Sequence, residues 1–170
     1  VVLEAEAAPC MHTSGRSAAM YLQTYGPPAV RALTRLSAPF YERPPGDFCE
    51  GPLLSQRGVL HLDDGDGEAE GGALAQLIAN GGVEEISFED AQGMVPILRR
   101  EGVRGGGWEA DARDIDIDLL TGGYRRMIRQ NGGRVVCNAR AVQIDRRDVW
   151  TVATPTADFA APVIVNAAGA

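Results

Sequence analysis

The sequence predicts an α/β fold, and three observations carry that expectation. Val1-Val2-Leu3-Glu4 is a short β-branched run ending on an acid, the pattern of a buried strand. Val30, Leu33, Leu36 and Phe40 recur at helical spacing and give one apolar face. From Arg134 onward, short apolar runs alternate with turn residues, so the end of the chain reads as strands.

The elements follow in order. After the Val1–Glu4 strand, Pro9 to Ser14 is rich in turn residues, and a helix capped by Ser14 or Ser17 is expected from Arg16 to about Thr24. Gly26-Pro27-Pro28 breaks it, a second helix begins near Ala29, and Pro44-Pro45-Gly46 stops that one. Gly58 to Leu62 reads as a strand and Ala73 to Ala79 as a helix. Ser87-Phe88-Glu89-Asp90 has the Ser-x-x-acid form of a helix start, with Pro96 as an early boundary. Val103 to Glu109 is a strand. Asp116 or Asp118 caps a longer helix through Gln130, which Asn131-Gly132-Gly133 ends. Strands then follow at Arg134–Cys137, Ala141–Asp145, Trp150–Thr154 and Val163–Asn166.

Composition narrows the function. With 170 residues and 45% hydrophobic content the chain can bury a core. A net charge of −7 and a pI near 4.8 repel a phosphate backbone, which argues against nucleic acid as a partner. Cys10, Cys49 and Cys137 are far apart and form no CxxC pair, so they are expected to be reduced thiols of a cytoplasmic protein. No apolar run approaches the roughly 20 residues of a membrane span.

Two segments imitate known sites and fail on their chemistry. Gly65-Asp66-Gly67-Glu68-Ala69-Glu70-Gly71 stands between a strand and a helix like a dinucleotide fingerprint, but its acids would repel a pyrophosphate. Asp114-Ile115-Asp116-Ile117-Asp118 has the alternating acids of a calcium loop, but Leu119 and Arg125 stand where that loop needs glycine and glutamate. The run is expected to be a strand end feeding a helix cap. His12 and His61 are about fifty residues apart and suggest no metal site and no Ser-His-Asp triad.

Glu4 and the segment Thr13-Ser14-Gly15-Arg16-Ser17-Ala18-Ala19 form a more coherent pattern. A carboxylate closing a strand accepts hydrogen bonds from an adenosine ribose in nucleotide-binding βαβ units. Small side chains admit a flat ligand to the backbone, hydroxyls and helix-start amides donate to phosphate, and Arg16 adds a permanent charge. A plain capped helix would use the same residues.

These residues, with Val163-Ile164-Val165-Asn166-Ala167-Ala168-Gly169-Ala170, resemble the FAD-dependent D-amino acid oxidase-like oxidoreductases. Within them the bacterial D-arginine dehydrogenase subgroup is similar at Tyr25-Gly26, Val30 to Thr34, Pro44 to Glu50, Pro52 to Ser55, Asp114 to Asp116, Gly123-Tyr124 and Val136 to Asn138. The resemblance implies a partial FAD-binding Rossmann-like domain with part of an α+β substrate domain. Residues 1–50 would form one FAD-binding portion, 51–115 part of the substrate domain, and 116–170 the return to the FAD-binding domain.

It also implies roles for single residues. Glu4 would bind the adenosine ribose with Ala5 beside it, and Thr13, Ser14, Gly15, Arg16, Ser17, Ala18, Ala19 and Met20 would line the pyrophosphate, ribityl chain and flavin edge. Ala141, Ala168 and Gly169 would approach the cofactor through the backbone. Met20, Tyr25 and Val59 would face the substrate. The subgroup's D-arginine-type member carries a histidine where this chain has Met20 and an acid where it has Val59, so a neutral or apolar D-amino acid is expected. No residue here is expected to act as general acid or base.

The implied reaction oxidises the Cα–N bond of a D-amino acid or amine, with oxygen and a quinone as alternative electron acceptors. No strand and glycine turn precede Val1, so the chain is expected to be an excerpt. Its open strand edge would favour self-association. The rival expectations are a truncated product that binds no FAD and a glycine- or sarcosine-oxidase-like amine oxidase.

Overall fold

A computed structural model of the chain describes residues 1–63 and 72–169. The Gly65–Gly71 stretch and Ala170 lie outside the described residues. In chain order the elements are β1 (Val2–Leu3), β2 (Met20–Tyr21), α1 (Pro28–Glu42), β3 (Leu54–Gln56), β4 (Val59–Asp63), α2 (Ala73–Ala79), β5 (Glu84–Ser87) and α3 (Phe88–Met94). They continue with β6 (Gly105–Glu109), β7 (Arg113–Ile115), α4 (Ile117–Gln130), β8 (Val135–Val136), β9 (Gln143–Arg146), β10 (Trp150–Ala153) and β11 (Asp158–Ala161). The expected α/β class is the one observed.

The chain divides into two compact units: Val1–Ala18, Gly46–Glu50 and Ile117–Ala170 form the first, Ala19–Pro45 and Gly51–Asp116 the second. The expected segment 1–50 therefore falls in both. Residues 19–45 join the second unit because β2 pairs with β7 and because the Tyr21 hydroxyl donates to the Thr34 carbonyl of α1 at 3.0 Å.

In the first unit β1 and β8 form a parallel ladder, Val2 opposite Val135 and Leu3 opposite Val136. A separate antiparallel sheet has the order β11-β10-β9. Asp118 sits in the first turn of α4, where a negative charge suits the helix dipole. At the other end Gly132 takes a positive φ of 74°, and Gly133 N–H donates to the Ile128 carbonyl at 2.8 Å, closing the helix with a Schellman turn as expected. The core is built on Phe48, whose ring meets Tyr124 edge-on at 5.2 Å and covers Gly123 of α4.

In the second unit β2-β7-β3 and β4-β6-β5 are antiparallel sheets. Ser87 caps α3 as expected, its Oγ accepting from Asp90 N–H at 3.1 Å. Tyr21, Leu53, Val83, Phe88, Ala91 and Ala112 supply buried apolar side chains. The Asp114–Asp118 run is a strand end entering α4, as expected.

Two expectations fail for stated reasons, and one apolar face points outward. The helix from Arg16 to Thr24 is absent: Ser14–Arg16 is one 3-10 turn, Ser17 is extended, Ala19 has φ of 52°, and Met20–Tyr21 is a strand. Strand pairing and burial of Tyr21 override a weak local helix preference. The apolar face of α1 is turned outward, with Val30, Leu33 and Leu36 exposed. The side nearer the core carries Thr34, Ser37, Ala38 and Tyr41, because the Thr34 carbonyl is the acceptor for Tyr21. Residues 163–166 are not a strand, since no ladder partner lies beside them among the described residues.

Gly123 tests the packing of the first unit. A Cβ there would collide with three atoms of the Phe48 ring, and Phe48 is buried. Overpacking of about 1–3 kcal/mol exceeds the helix-propensity gain of about 1 kcal/mol from replacing glycine by alanine. Gly123→Ala is expected to lower the thermal midpoint, measured by circular dichroism, whereas Gly122→Ala, with open space around it, leaves it unchanged or raises it.

Candidate functional site

In the first unit the backbone fixes Glu4 at the carboxyl end of β1. Its N–H donates to the Val136 carbonyl at 2.9 Å, and its carbonyl accepts from Ala139 N–H at 2.8 Å. The carboxylate Oε1 accepts from Glu6 N–H at 2.9 Å, which bends the chain just past the strand. The carboxyl ends of parallel strands are where ligands bind in open α/β sheets. Ala5 follows, half-buried.

Glu6, which sequence reasoning missed, ties three segments together. His12 Nε2 lies 3.1 Å from Glu6 Oε1, and Arg140 Nη2 lies 3.8 Å from the same oxygen. Asn138 N–H donates to the Glu6 carbonyl at 2.9 Å. The His12 hydrogen bond, then the His12 charge, hold the Glu6 carboxyl below its usual range; desolvation opposes them and Arg140 assists. Ala141 is exposed just after this cluster, so the structure brings the 138–141 segment to Glu4 and Glu6.

Thr13, Ser14, Gly15, Arg16, Ser17 and Ala18 are exposed along the 3-10 turn. Arg16 N–H donates to the His12 carbonyl at 3.0 Å and Ser17 Oγ to the Ser14 carbonyl at 3.0 Å. Without the expected helix there is no long run of aligned amides here. The segment offers hydroxyls and the Arg16 charge instead. Gly15 is explained by its own chain, since a Cβ would strike the Cys10 carbonyl oxygen, and Cys10 has a positive φ of 65°. Ala168 and Gly169 lie in an exposed irregular stretch where Ala168 N–H donates to Asn166 Oδ1 at 3.2 Å.

The second unit holds Ala19, Met20, Tyr25 and Val59. The Ala19 carbonyl accepts from Ile115 N–H at 2.6 Å, and Met20 stands opposite Asp114, whose carboxylate pairs with Arg57 at 2.7 Å. Tyr25 is 70% exposed between buried Thr24 and Gly26. The Gly26 carbonyl accepts from Arg31 Nη1 at 2.6 Å. Val59 opens β4 opposite Glu109 of β6. Glu109 is 2% exposed, and its Oε2 accepts from Thr24 Oγ1 at 2.7 Å and faces His61 Nε2 at 3.1 Å. Thr24 and Glu109 are 85 positions apart, so no local pattern could have paired them.

A cleft of about 450 Å³ in this unit is lined by Asp63, Glu85, Ser87 and Arg104, among others, and includes none of the expected site residues. Among the described residues, no group of three His, Cys, Asp or Glu side chains is placed to hold a metal ion. No described helix is long and apolar enough to cross a membrane.

A family model for FAD dependent oxidoreductases (DAO) matches residues 1–170. The chain belongs to this family. Its fold is shared with glycine oxidase from Geobacillus kaustophilus, with a TM-score of 0.72 and 19% identity over 98% of this chain and 48% of that one. NikD, an amino acid oxidase essential for nikkomycin biosynthesis, matches with a TM-score of 0.75 and 18% identity over 95% and 42%. FAD-bound L-alpha-glycerophosphate oxidase from Mycoplasma pneumoniae matches with 0.70 and 15% over 91% and 43%. The chain thus spans less than half the length of each.

FAD is the cofactor of the family. The donor set of the first unit fits its adenosine end, because ribose hydroxyls donate and Glu6 N–H occupies only one of the two Glu4 carboxylate oxygens.

The Glu6 cluster sets an acid-side expectation. A lowered carboxyl pKa contributes stability that is present above the unfolded value of about 4.3 and lost as pH falls through the folded value. In a carboxyl-detected NMR titration Glu6 should titrate below that value, and His12→Ala should return it toward about 4.3 more than Arg140→Ala does.

Proposed function

We propose that the enzyme formed with this chain oxidises the Cα–N bond of a neutral D-amino acid, with an amine such as glycine as the second choice. The observation that carries the reaction class is the family match over the whole chain, in company with folds of glycine oxidase and an amino acid oxidase. When bound, FAD would supply the hydride acceptor for oxidation of the substrate Cα–N bond.

This chain's residues bind and orient. Glu4 accepts from the ribose, and the hydroxyls of Thr13 and Ser14, with the Arg16 guanidinium, stand ready for the phosphates, while the Ser17 hydroxyl donates to the Ser14 carbonyl. Ala5, Gly15, Ala18, Ala19, Ala141, Ala168 and Gly169 offer close backbone approach. Met20, Tyr25 and Val59 face the substrate side chain. Val59 provides no carboxylate for a guanidinium or ammonium, which supports an apolar substrate over a basic one. A cytoplasmic location, and oxygen or a quinone as electron acceptor, belong to the same proposal.

Two measurements test the proposal. Glu4→Ala in the holoenzyme should weaken FAD binding by about 10–100-fold, the loss of one charged hydrogen-bond acceptor, followed by the flavin band near about 450 nm. D-Leucine should be oxidised with a kcat/KM at least about tenfold above that of D-arginine, the scale of one unmade charge-assisted contact. Equal values, or a preference for glycine, would overturn the substrate assignment.

A further inference from the structure

Tyr25 presents an unusual combination. Its side chain is exposed, yet the backbone on both sides is anchored. Before it, Thr24 is buried and its hydroxyl donates to Glu109 at 2.7 Å. After it, Gly26 holds a left-handed φ of 82°, and its carbonyl accepts from the Arg31 guanidinium at 2.6 Å. A Cβ at Gly82 would lie 3.2 Å from Thr24 Cγ2, so the threonine methyl is packed as well as its hydroxyl.

The other end of the anchor is placed with equal definition. Glu109 is the last residue of β6 and stands directly across the ladder from Val59. Directly opposed residues of an antiparallel pair lie on one face of the sheet, with Cβ atoms about 5 Å apart. His61, two residues along β4 on that same face, contributes its Nε2 at 3.1 Å from Glu109 Oε2. A buried carboxylate that lost its donors would pay a large desolvation cost, so the Thr24 contact is held firmly.

We infer that Thr24 and Glu109 are positioning residues that clamp the Tyr25 turn to β6, the strand paired with the one carrying Val59, presetting the aromatic side chain for the substrate. The inference rests on the proposed function, which places Tyr25 and Val59 at the substrate. Holding an aromatic ring in its binding position before the ligand arrives lowers the ordering cost of binding. The clamp acts through Tyr25 and touches neither flavin nor reacting atoms.

The test uses the holoenzyme with D-leucine and four variants: Thr24→Val, Thr24→Ser, Tyr25→Ala and the double variant Thr24→Val with Tyr25→Ala. Thr24→Val should raise KM about tenfold with kcat within about twofold and with the flavin band intact, the signature of lost binding rather than lost chemistry. Thr24→Ser, which keeps the hydroxyl, should restore the parent KM. In the Tyr25→Ala background the Thr24→Val effect should vanish, because the clamp then has nothing to present.

Each contrary result has its own meaning. If Tyr25→Ala leaves KM unchanged, the placement of Tyr25 at the substrate is wrong and the clamp falls with it. If Tyr25→Ala raises KM but Thr24→Val does not, the clamp alone is overturned. Full additivity in the double variant, the mark of a merely structural role, overturns it too. Should Thr24→Val fail to fold, Thr24→Ser decides: a parent-like KM with parent-like hydrogen exchange across residues 22–27 supports the clamp, and a raised KM overturns it.

Discussion

A buried carboxylate must find hydrogen-bond donors, and in the second unit that constraint organises the rest. Glu109 is almost wholly removed from water at the end of β6. Its partners come from far apart in the chain: Thr24 lies between β2 and α1, and His61 lies on β4. Satisfying one side chain therefore fixes the turn after β2 against the β4-β6 ladder. Leaving Glu109 unpaired would cost several times the worth of an ordinary surface contact. The same need accounts for the two glycines nearby: Gly26 lets the turn reverse, and Gly82 leaves room for the Thr24 methyl.

The first unit uses the opposite solution, a carboxylate cluster at the surface. Glu4 closes β1, and Glu6 gathers His12 and Arg140 two residues later. These contacts are exposed and individually weak. Their value is geometric, because the Thr13–Ala18 segment and the 138–141 segment both lead away from the cluster. A single alternating stretch, Glu4-Ala5-Glu6, thus supplies both the candidate ribose acceptor and the group that arranges its neighbours.

Much of this was legible in the sequence wherever a local rule decides the outcome. Ser87 caps its helix, Gly132 ends α4, and Val1–Glu4 contains a strand, each from chemistry within a few residues. The misreadings have one physical origin. Residues 16–24 satisfy helix-start rules but are drawn into pairing with β7, about ninety residues away, and α1 turns the face of Thr34, Ser37, Ala38 and Tyr41 inward, where the Thr34 carbonyl accepts from Tyr21. Strands β2, β3, β5, β7 and β11 are short, and most take their place from a partner strand, with little apolar alternation to announce them. For the candidate site, Glu4 follows from its place after a β-branched run, whereas the Thr24–Glu109–His61 cluster joins residues with no sequence relation and could only be found in three dimensions.

Under the proposed function, the register of β4 and β6 bears on substrate choice. Val59 opens β4, and Glu109 stands directly opposite it on the same face. Under the proposed placement of Val59 at the substrate, proximity alone would offer Glu109 as a partner for a cationic side chain. Burial and occupancy argue otherwise. Its Oε2 already accepts from Thr24 and faces His61, and its side chain is shielded from solvent. A cationic substrate group would have to displace the threonine hydroxyl, open the turn that carries Tyr25, and shed its own hydration to reach the carboxylate. It would also approach beside a histidine, which gains positive charge on protonation. The carboxylate opposite Val59 on this ladder is thus committed to holding the fold.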